Sequence, residues 1–269
     1  MSYKNILIES ANNIATIWLN RPEVHNAFND FTIRELTAAF SELEKDDSLR
    51  AVVLRGKGKS FSAGADLNWM KAVKDYSYEQ NYKDSLDLCK LLYAIYTFRK
   101  PVIALVHGAA IGGANGLLAA CDIVICEENT TFSLSEVKIG LIPACISPYV
   151  IKRVGEPIAR ELMLTGKRIK GQEAEKLRLV NRSLPESELE SYLNETLNLL
   201  LTSGPKAVEN CKQLIFDVIN TWTLDQTIEK TAELIAKQRL SAEAQEGMKA
   251  FLEKRKPNFF EPHRHISSQ

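Results

Sequence analysis

Between Pro101 and Cys121 the only polar side chains are His107 and Asn115, and Gly108, Gly112, Gly113 and Gly116 fall within nine residues. A run this long and apolar has the length to cross a membrane. Glycine at that density, however, breaks a spanning helix, Val102, Ile103 and Val106 favour a strand, and Asp122 follows at once. The stretch therefore predicts a buried strand, a glycine turn and a buried helix, which need a sizeable core around them.

The chain has the material for such a core: 269 residues, 45% of them apolar. That length fits about two domains of ~150 residues, or one large core with an appendage. Thirty-four basic residues balance thirty-four acidic ones, which leaves no electrostatic footprint for nucleic acid or an anionic membrane. Cys89, Cys121, Cys126, Cys145 and Cys211 are odd in number and contain no C-x-x-C pair, so reduced thiols are expected. Met1 to Asn13 lacks the apolar stretch of a secretory signal. A cytoplasmic location follows as the expectation.

β-Rich runs at Ala15–Leu19, Ala51–Arg55, Val102–Val106 and Ile123–Cys126 alternate with helix-like segments, the pattern of an α/β layered fold. Ile33, Leu36, Phe40 and Leu43 form one helical stripe, expected to lie against a sheet. No solenoid-type repeat and no low-complexity segment is present. After about Pro185 the β-rich runs stop. Ser187 with Glu190, and Thr223 with Gln226, have capping-box spacing, and Gly204-Pro205 separates two helices. The division expected is a core over 1–199, a helical region over 200–260 and a polar tail over 261–269. His263 and His265 in that tail lack accompanying ligands and predict solvated surface rather than a metal site. Lys167, Arg168 and Lys170 likewise predict a solvated loop.

Two glycine-containing loops each follow a β-rich run: Phe61-Ser-Ala-Gly-Ala-Asp-Leu67, and His107-Gly-Ala-Ala-Ile-Gly-Gly-Ala-Asn-Gly116. Neither satisfies a nucleotide-phosphate motif. Small residues at such turns let main-chain N–H groups approach a ligand, and a pair of them aimed at one oxygen makes an oxyanion hole. Taken singly, either loop reads as an ordinary tight turn.

Taken in order, Phe61–Asp66, Gly108–Gly113, Cys121-Asp122, Phe132–Glu136, Gly140–Pro143 and the near-C-terminal Glu246–Phe259 resemble the crotonase (enoyl-CoA hydratase/isomerase) family over nearly the whole chain. The resemblance implies a crotonase-type spiral of ββα units with a helical C-terminal trimerisation region, assembled as a homotrimer or dimer of trimers. It implies an acyl-CoA thioester as substrate, with coenzyme A part of that substrate and no metal, flavin or nicotinamide. By position, the amides of Ala65 and Gly113 fall at the oxyanion hole, where each donor contributes about 2.7–4 kcal/mol when it acts on the transition state. Coenzyme A contacts fall at Val24, His25 and Ala27, at Ala63, Asp66 and Leu67, and at Lys59, Phe251 and Lys254, the last two reaching a neighbouring subunit's site. Without the resemblance, Lys59 and Lys254 read as solvated surface and Phe251 as helix-face packing.

Glu136 aligns with one of the two glutamates that hydratases of the family typically use, and the place of the other is taken by Gly116. Asn115 beside it cannot carry a proton near neutral pH. Three readings stay open: hydration with Glu136 alone, double-bond isomerisation by a single base, and a non-catalytic acyl-CoA binder. Ala65–Met70, Ser133–Pro143 and Ala144–Tyr149 resemble bacterial hydratases of methylglutaconyl-CoA and related carboxylated enoyl-CoAs, a subgroup with glycine at the place of Gly116. Hydration of a branched, carboxylated substrate such as 3-methylglutaconyl-CoA is therefore the expectation. Its distal carboxylate would help orient water. The sequence identifies no cation for it: Lys138 and Arg153 lie in suitable segments and read equally as surface. RNA binding is disfavoured by the zero net charge and the lack of an aromatic-basic motif.

Overall fold

The computed structural model describes residues 3–261. The chain divides into two compact units, the first running through Phe98 and resuming over Val102–Glu190, the second made of Arg99–Pro101 and the chain from Ser191 onward.

In the first unit the order is β1 (Ile6–Ala11), β2 (Ile14–Leu19), α1 (Asp30–Leu43), β3 (Ala51–Gly56), α2 (Leu67–Val73), α3 (Tyr78–Thr97), β4 (Val102–Val106), β5 (Ala109–Ile111) and α4 (Ala114–Ala120). It continues with β6 (Ile123–Glu127), β7 (Thr131–Ser133), α5 (Ser147–Val154), α6 (Glu156–Thr165), β8 (Ile169–Lys170), α7 (Gly171–Lys176), β9 (Arg182–Leu184) and the start of α8 (Glu186–Leu201). Six strands form one sheet in the order β1-β2-β3-β4-β6-β9 and three form another, β5-β7-β8. Within the larger sheet only β1 runs antiparallel to its neighbour. Val52, Leu54, Val102, Ala104, Val106 and Val124 are fully buried, as strands covered on both faces should be. The four expected strands are therefore present within a residue or so. β1 goes beyond the expectation: of its residues only Ile6 is buried, and it is fixed by the turn Asn12-Asn13, both at positive φ, between the paired Ala11 and Ile14.

Pro101 to Cys121 resolves into strand β4, the glycine turn with β5, and the wholly buried α4. Among the described residues no helix is long and apolar enough to cross a membrane. The α1 stripe buries Ile33, Leu36 and Phe40 behind an Asn29 N-cap. The stripe shares one buried core with Ile17, Leu19, Val52 and Leu54 of β2 and β3, and α1 also packs beside α3, with Phe40 edge-on to Phe98 at 5.4 Å.

The Ser187 capping box does not form as an N-cap. Proline suits a helix entry, and after Pro185 the helix α8 already begins at Glu186, so Ser187 lies inside its first turn while Glu190 pairs with Arg55. The expected 199/200 division falls inside α8, whereas the compact units part between Glu190 and Ser191.

The second unit carries the rest of α8, then α9 (Pro205–Asn220), α10 (Leu224–Leu240) and α11 (Ala242–Leu252). The Thr223 capping box is present in full. Glu243 caps α9, accepting from the Lys206 and Ala207 amides at 2.9 and 2.8 Å, and a Cβ at Gly204 would collide with that carboxylate. Leu224, Ile228, Leu240, Phe251 and Leu252 remain exposed. His263 and His265 lie outside the described residues.

Candidate active site

The two glycine loops lie side by side. Ser62 pairs with Ala110 as a parallel bridge: Ser62 N–H donates to Ala109 O at 2.9 Å and Ile111 N–H to Ser62 O at 3.1 Å. Gly64, at φ +91°, packs so close that a Cβ would sit 2.7 Å from Ile111 O, so only glycine fits. Phe28 joins both loops. Its N–H donates to Gly64 O and its carbonyl accepts from Asp66 N–H, while its ring tip lies 2.6 Å from where a Gly113 Cβ would be. In this bridge the intervening Ala65 N–H faces away from Phe28. Among the described residues neither Ala65 N–H nor Gly113 N–H has an acceptor within the chain. Each loop thus has a main-chain donor without an acceptor among the described residues, at Ala65 on the first and at Gly113 on the second.

The first loop stands on a polar scaffold. Asp66 caps α2, its Oδ1 accepting from Asn68 N–H at 2.8 Å, and its Oδ2 accepts from Arg21 at 2.7 Å. Arg21 also donates to Ala27 O at 2.6 Å. Burial works to raise the Asp66 carboxyl, but the guanidinium and the helix amides outweigh it and hold the group below the usual carboxylate range. The Asp66 side chain is therefore engaged within the chain, as support for the loop. The same scaffold gathers the expected coenzyme A positions of this unit. Ala63 N–H donates to His25 O at 2.9 Å, Asn26 donates to Lys57 O and Ser60 O, and His25 Nδ1 lies 3.3 Å from Ser60 Oγ. Val24, His25, Lys59, Ala63 and Leu67 are exposed along this edge, and Ala27 is buried beneath them. Phe251 and Lys254 belong to the second unit, both exposed, with Lys254 at positive φ.

The second loop is fixed by main-chain and amide hydrogen bonds together with packing. Gly112 N–H donates to Ser133 O at 2.7 Å, and Asn115 Nδ2 donates to Ala110 O, Gly112 O and Ser133 O at 3.1, 3.0 and 3.0 Å. Asn115 is thus a staple for the turn. Glu136 begins a 3-10 turn over Glu136–Ile139. Its Oε1 lies 3.4 Å from the Cβ position of Gly112, and its Oε2 is buried without a hydrogen-bond partner. Burial pushes its carboxyl above the usual range, so the group holds a proton more readily than an exposed glutamate.

At Gly116 a Cβ would meet Ile146 Cγ2 at 2.2 Å and Leu92 Cδ1 at 3.4 Å. The place at which the resemblance puts a second glutamate is filled with aliphatic side chains. Of the two candidate cations, Arg153 is committed, donating to Leu179 O, Cys121 O and Asn181 Oδ1. The Lys138 stem lies over Gly166, with Cε 3.2 Å from its Cβ position. Lys167 pairs with Glu161 and Glu173, and Lys170, on β8, donates to Asn129 O and Thr131 Oγ1, so both lysines are braced at the surface by their own chain. Among the described residues no group of three or more His, Cys, Asp or Glu could hold a metal. A cavity of about 470 Å³ lined by Lys4, Asn5, Asn20, Arg21, Glu23, Asn29 and Phe31 includes none of Ala65, Gly113 or Glu136. Sequence reasoning missed Phe28, Arg21 and Ile146, whose roles depend on partners far along the chain.

The model of the enoyl-CoA hydratase/isomerase family matches residues 9–262. A short-chain-enoyl-CoA hydratase of Clostridium acetobutylicum is 33% identical over 95% of this chain and 97% of its own. A mitochondrial Delta(3,5)-Delta(2,4)-dienoyl-CoA isomerase of Dictyostelium discoideum is 32% identical over 96% of this chain and 92% of its own. The crystal structure of an enoyl-CoA hydratase from Shewanella pealeana superposes with a TM-score of 0.91 at 37% identity, covering 95% of this chain and 96% of that one. The chain belongs to the enoyl-CoA hydratase/isomerase family, and its mixed α/β architecture is the crotonase fold.

Proposed function

We propose that this protein adds water across the 2,3 double bond of an enoyl-CoA thioester. The observation that carries the reading is the buried, unpartnered Oε2 of Glu136 beside the Gly112-Gly113 turn, close to an amide that lacks an acceptor. The Ala65 and Gly113 amides bind the thioester oxygen. Glu136, as carboxylate, takes a proton from water while the water oxygen bonds to C3 and the displaced π electrons move onto the thioester oxygen. The two amides stabilise that enolate more than the ground-state carbonyl, which is the differential binding that accelerates the step. The enolate then collapses and C2 takes the proton back from the Glu136 carboxyl.

Val24, His25, Ala27, Lys59, Ala63 and Leu67 form the coenzyme A edge, with Asp66 as its support, and Phe251 and Lys254 complete it in a homotrimer or dimer of trimers. The exposed apolar residues of α10 and α11 support such self-association. For the acyl group, the residue pattern over Ala65–Met70 and Ala144–Tyr149 supports 3-methylglutaconyl-CoA, with Lys138 rather than the committed Arg153 as the available cation. Isomerisation is the second reading, favoured by the single base that the filled space at Gly116 leaves.

A panel of crotonyl-, 3-methylcrotonyl-, 3-methylglutaconyl- and 3-enoyl-CoA, read by product mass, tests these readings. Products heavier by one water are expected from the 2-enoyl substrates. Mass-neutral conversion of the 3-enoyl thioester alone selects the isomerase, and binding without turnover selects a binder.

A further inference from the structure

Helix α4 is buried along its whole length, and Gly116 is one turn from the free amide of Gly113, donating to Gly113 O at 2.9 Å. Its Cβ position lies 2.2 Å from Ile146 Cγ2 and 2.8 Å from Ile146 Cβ. Rotation about χ1 moves a Cγ2 but leaves Cβ where the backbone puts it, and a β-branched side chain has few rotamers to spare. The backbone around Ile146 is itself anchored. Val150 N–H donates to Ile146 O at 3.1 Å at the start of α5, Cys145 Sγ donates to Ser85 O at 3.7 Å, and Tyr149 packs edge-on to Tyr96 at 5.4 Å. Residues 145 to 149 therefore lie along the face of α3 that also presents the fully buried Leu92. Relief by moving this segment means moving it off α3.

We propose that Ile146 is a positioning residue of the reaction centre: it closes the α4 side with an aliphatic wall that excludes any side chain at position 116, so that the carboxyl group at the Gly112-Gly113 turn is that of Glu136. One carboxyl then serves both halves of the addition, taking the proton from water and returning the same equivalent to C2. The wall rests on packing alone, whereas its catalytic consequence rests on the hydratase reading above.

Thermal denaturation of the wild type, Gly116→Ala, Ile146→Ala and the double variant tests the wall without substrate. Gly116→Ala is expected to lower Tm through the collision, and Ile146→Ala to lower it by leaving a cavity. In the double variant the 2.2 Å collision with Cγ2 is gone and only the 2.8 Å approach of the retained Cβ remains, so its loss in Tm is smaller than the sum of the single losses. Additive losses, or a Gly116→Ala variant as stable as the wild type, overturn the wall. The pH dependence of kcat/KM for crotonyl-CoA tests the single carboxyl. The wild type shows one ionisation on its acid limb, and Gly116→Glu/Ile146→Ala gains a second that Gly116→Glu alone does not. Two acid-limb ionisations in the wild type overturn the claim even if the glutamate variants fail to fold. Coupled Tm losses without any hydration leave the wall standing and remove the hydratase reading, while hydration with additive losses does the reverse.

Discussion

Beneath Ala65 the chain is held by charge and hydrogen bonds: Arg21 to Asp66, Asp66 to the first amides of α2, and Asn26 to Lys57 O and Ser60 O. Beside Gly113 it is held by shape as well, with Phe28 against Gly113 and Ile146 against Gly116, next to the Gly112 N–H to Ser133 O bond and the Asn115 staple. The carboxylates at the two loops differ in the same sense. Asp66 is fully partnered and held below its ordinary range, whereas Glu136 has a buried oxygen with no partner and is pushed above it. A satisfied carboxylate makes rigid scaffold. An unsatisfied one in a buried place costs stability and is kept where proton transfer needs it.

The comparison can be broken most severely at Glu136. Glu136→Gln is expected to keep thioester binding while turnover falls by about a hundred- to ten-thousand-fold, as measured by steady-state kinetics beside equilibrium binding. Unchanged turnover places the base elsewhere. At the other carboxylate, Asp66→Ala removes an N-cap and strands the Arg21 guanidinium. Urea unfolding should show a loss of about 2–4 kcal/mol, with KM raised because the Ala65 turn loses its footing. A variant as stable as the wild type would mean that the polar scaffold is dispensable.

Smaller effects sharpen the contrast, because the two carboxylates respond to pH with opposite signs. An unfolded aspartate titrates near 4, and folding lowers that value at Asp66. Its stabilisation is therefore complete above the unfolded value and is lost as pH falls through the folded one. Asp66→Asn should show a shallower loss of Tm on acidification than the wild type. For Glu136 the folded value is raised, so the native state is favoured while the group is protonated and penalised once pH has risen past the folded value. Glu136→Gln should then melt slightly above the wild type at neutral pH. A downward shift would assign that carboxylate a structural role.

Strands β2, β3, β4 and β6 were legible because parallel strands covered on both faces read as plain apolar runs. β1 escaped notice because it buries only Ile6, and β7, β8 and β9 are two or three residues long, too short to carry a period. Glu136 and both glycine loops were legible through the order of their motifs. The Arg21–Asp66 pair, 45 residues apart, and the contact of Ile146 with Gly116 were not, since pairings made only by the tertiary fold leave no local pattern. The Ser187 box shows the converse: correct capping spacing without a cap, because the preceding proline let the helix start earlier.

Vibrational spectroscopy of a bound, non-hydratable acyl-CoA carrying a 13C-labelled thioester carbonyl tests the paired amides most directly. With Ala65 and Gly113 N–H both donating to that oxygen, its stretching frequency should fall below the value in water, and fall less when Asp66→Ala loosens the first loop. A carbonyl frequency equal to that in water, in a complex shown to be saturated, would contradict the account.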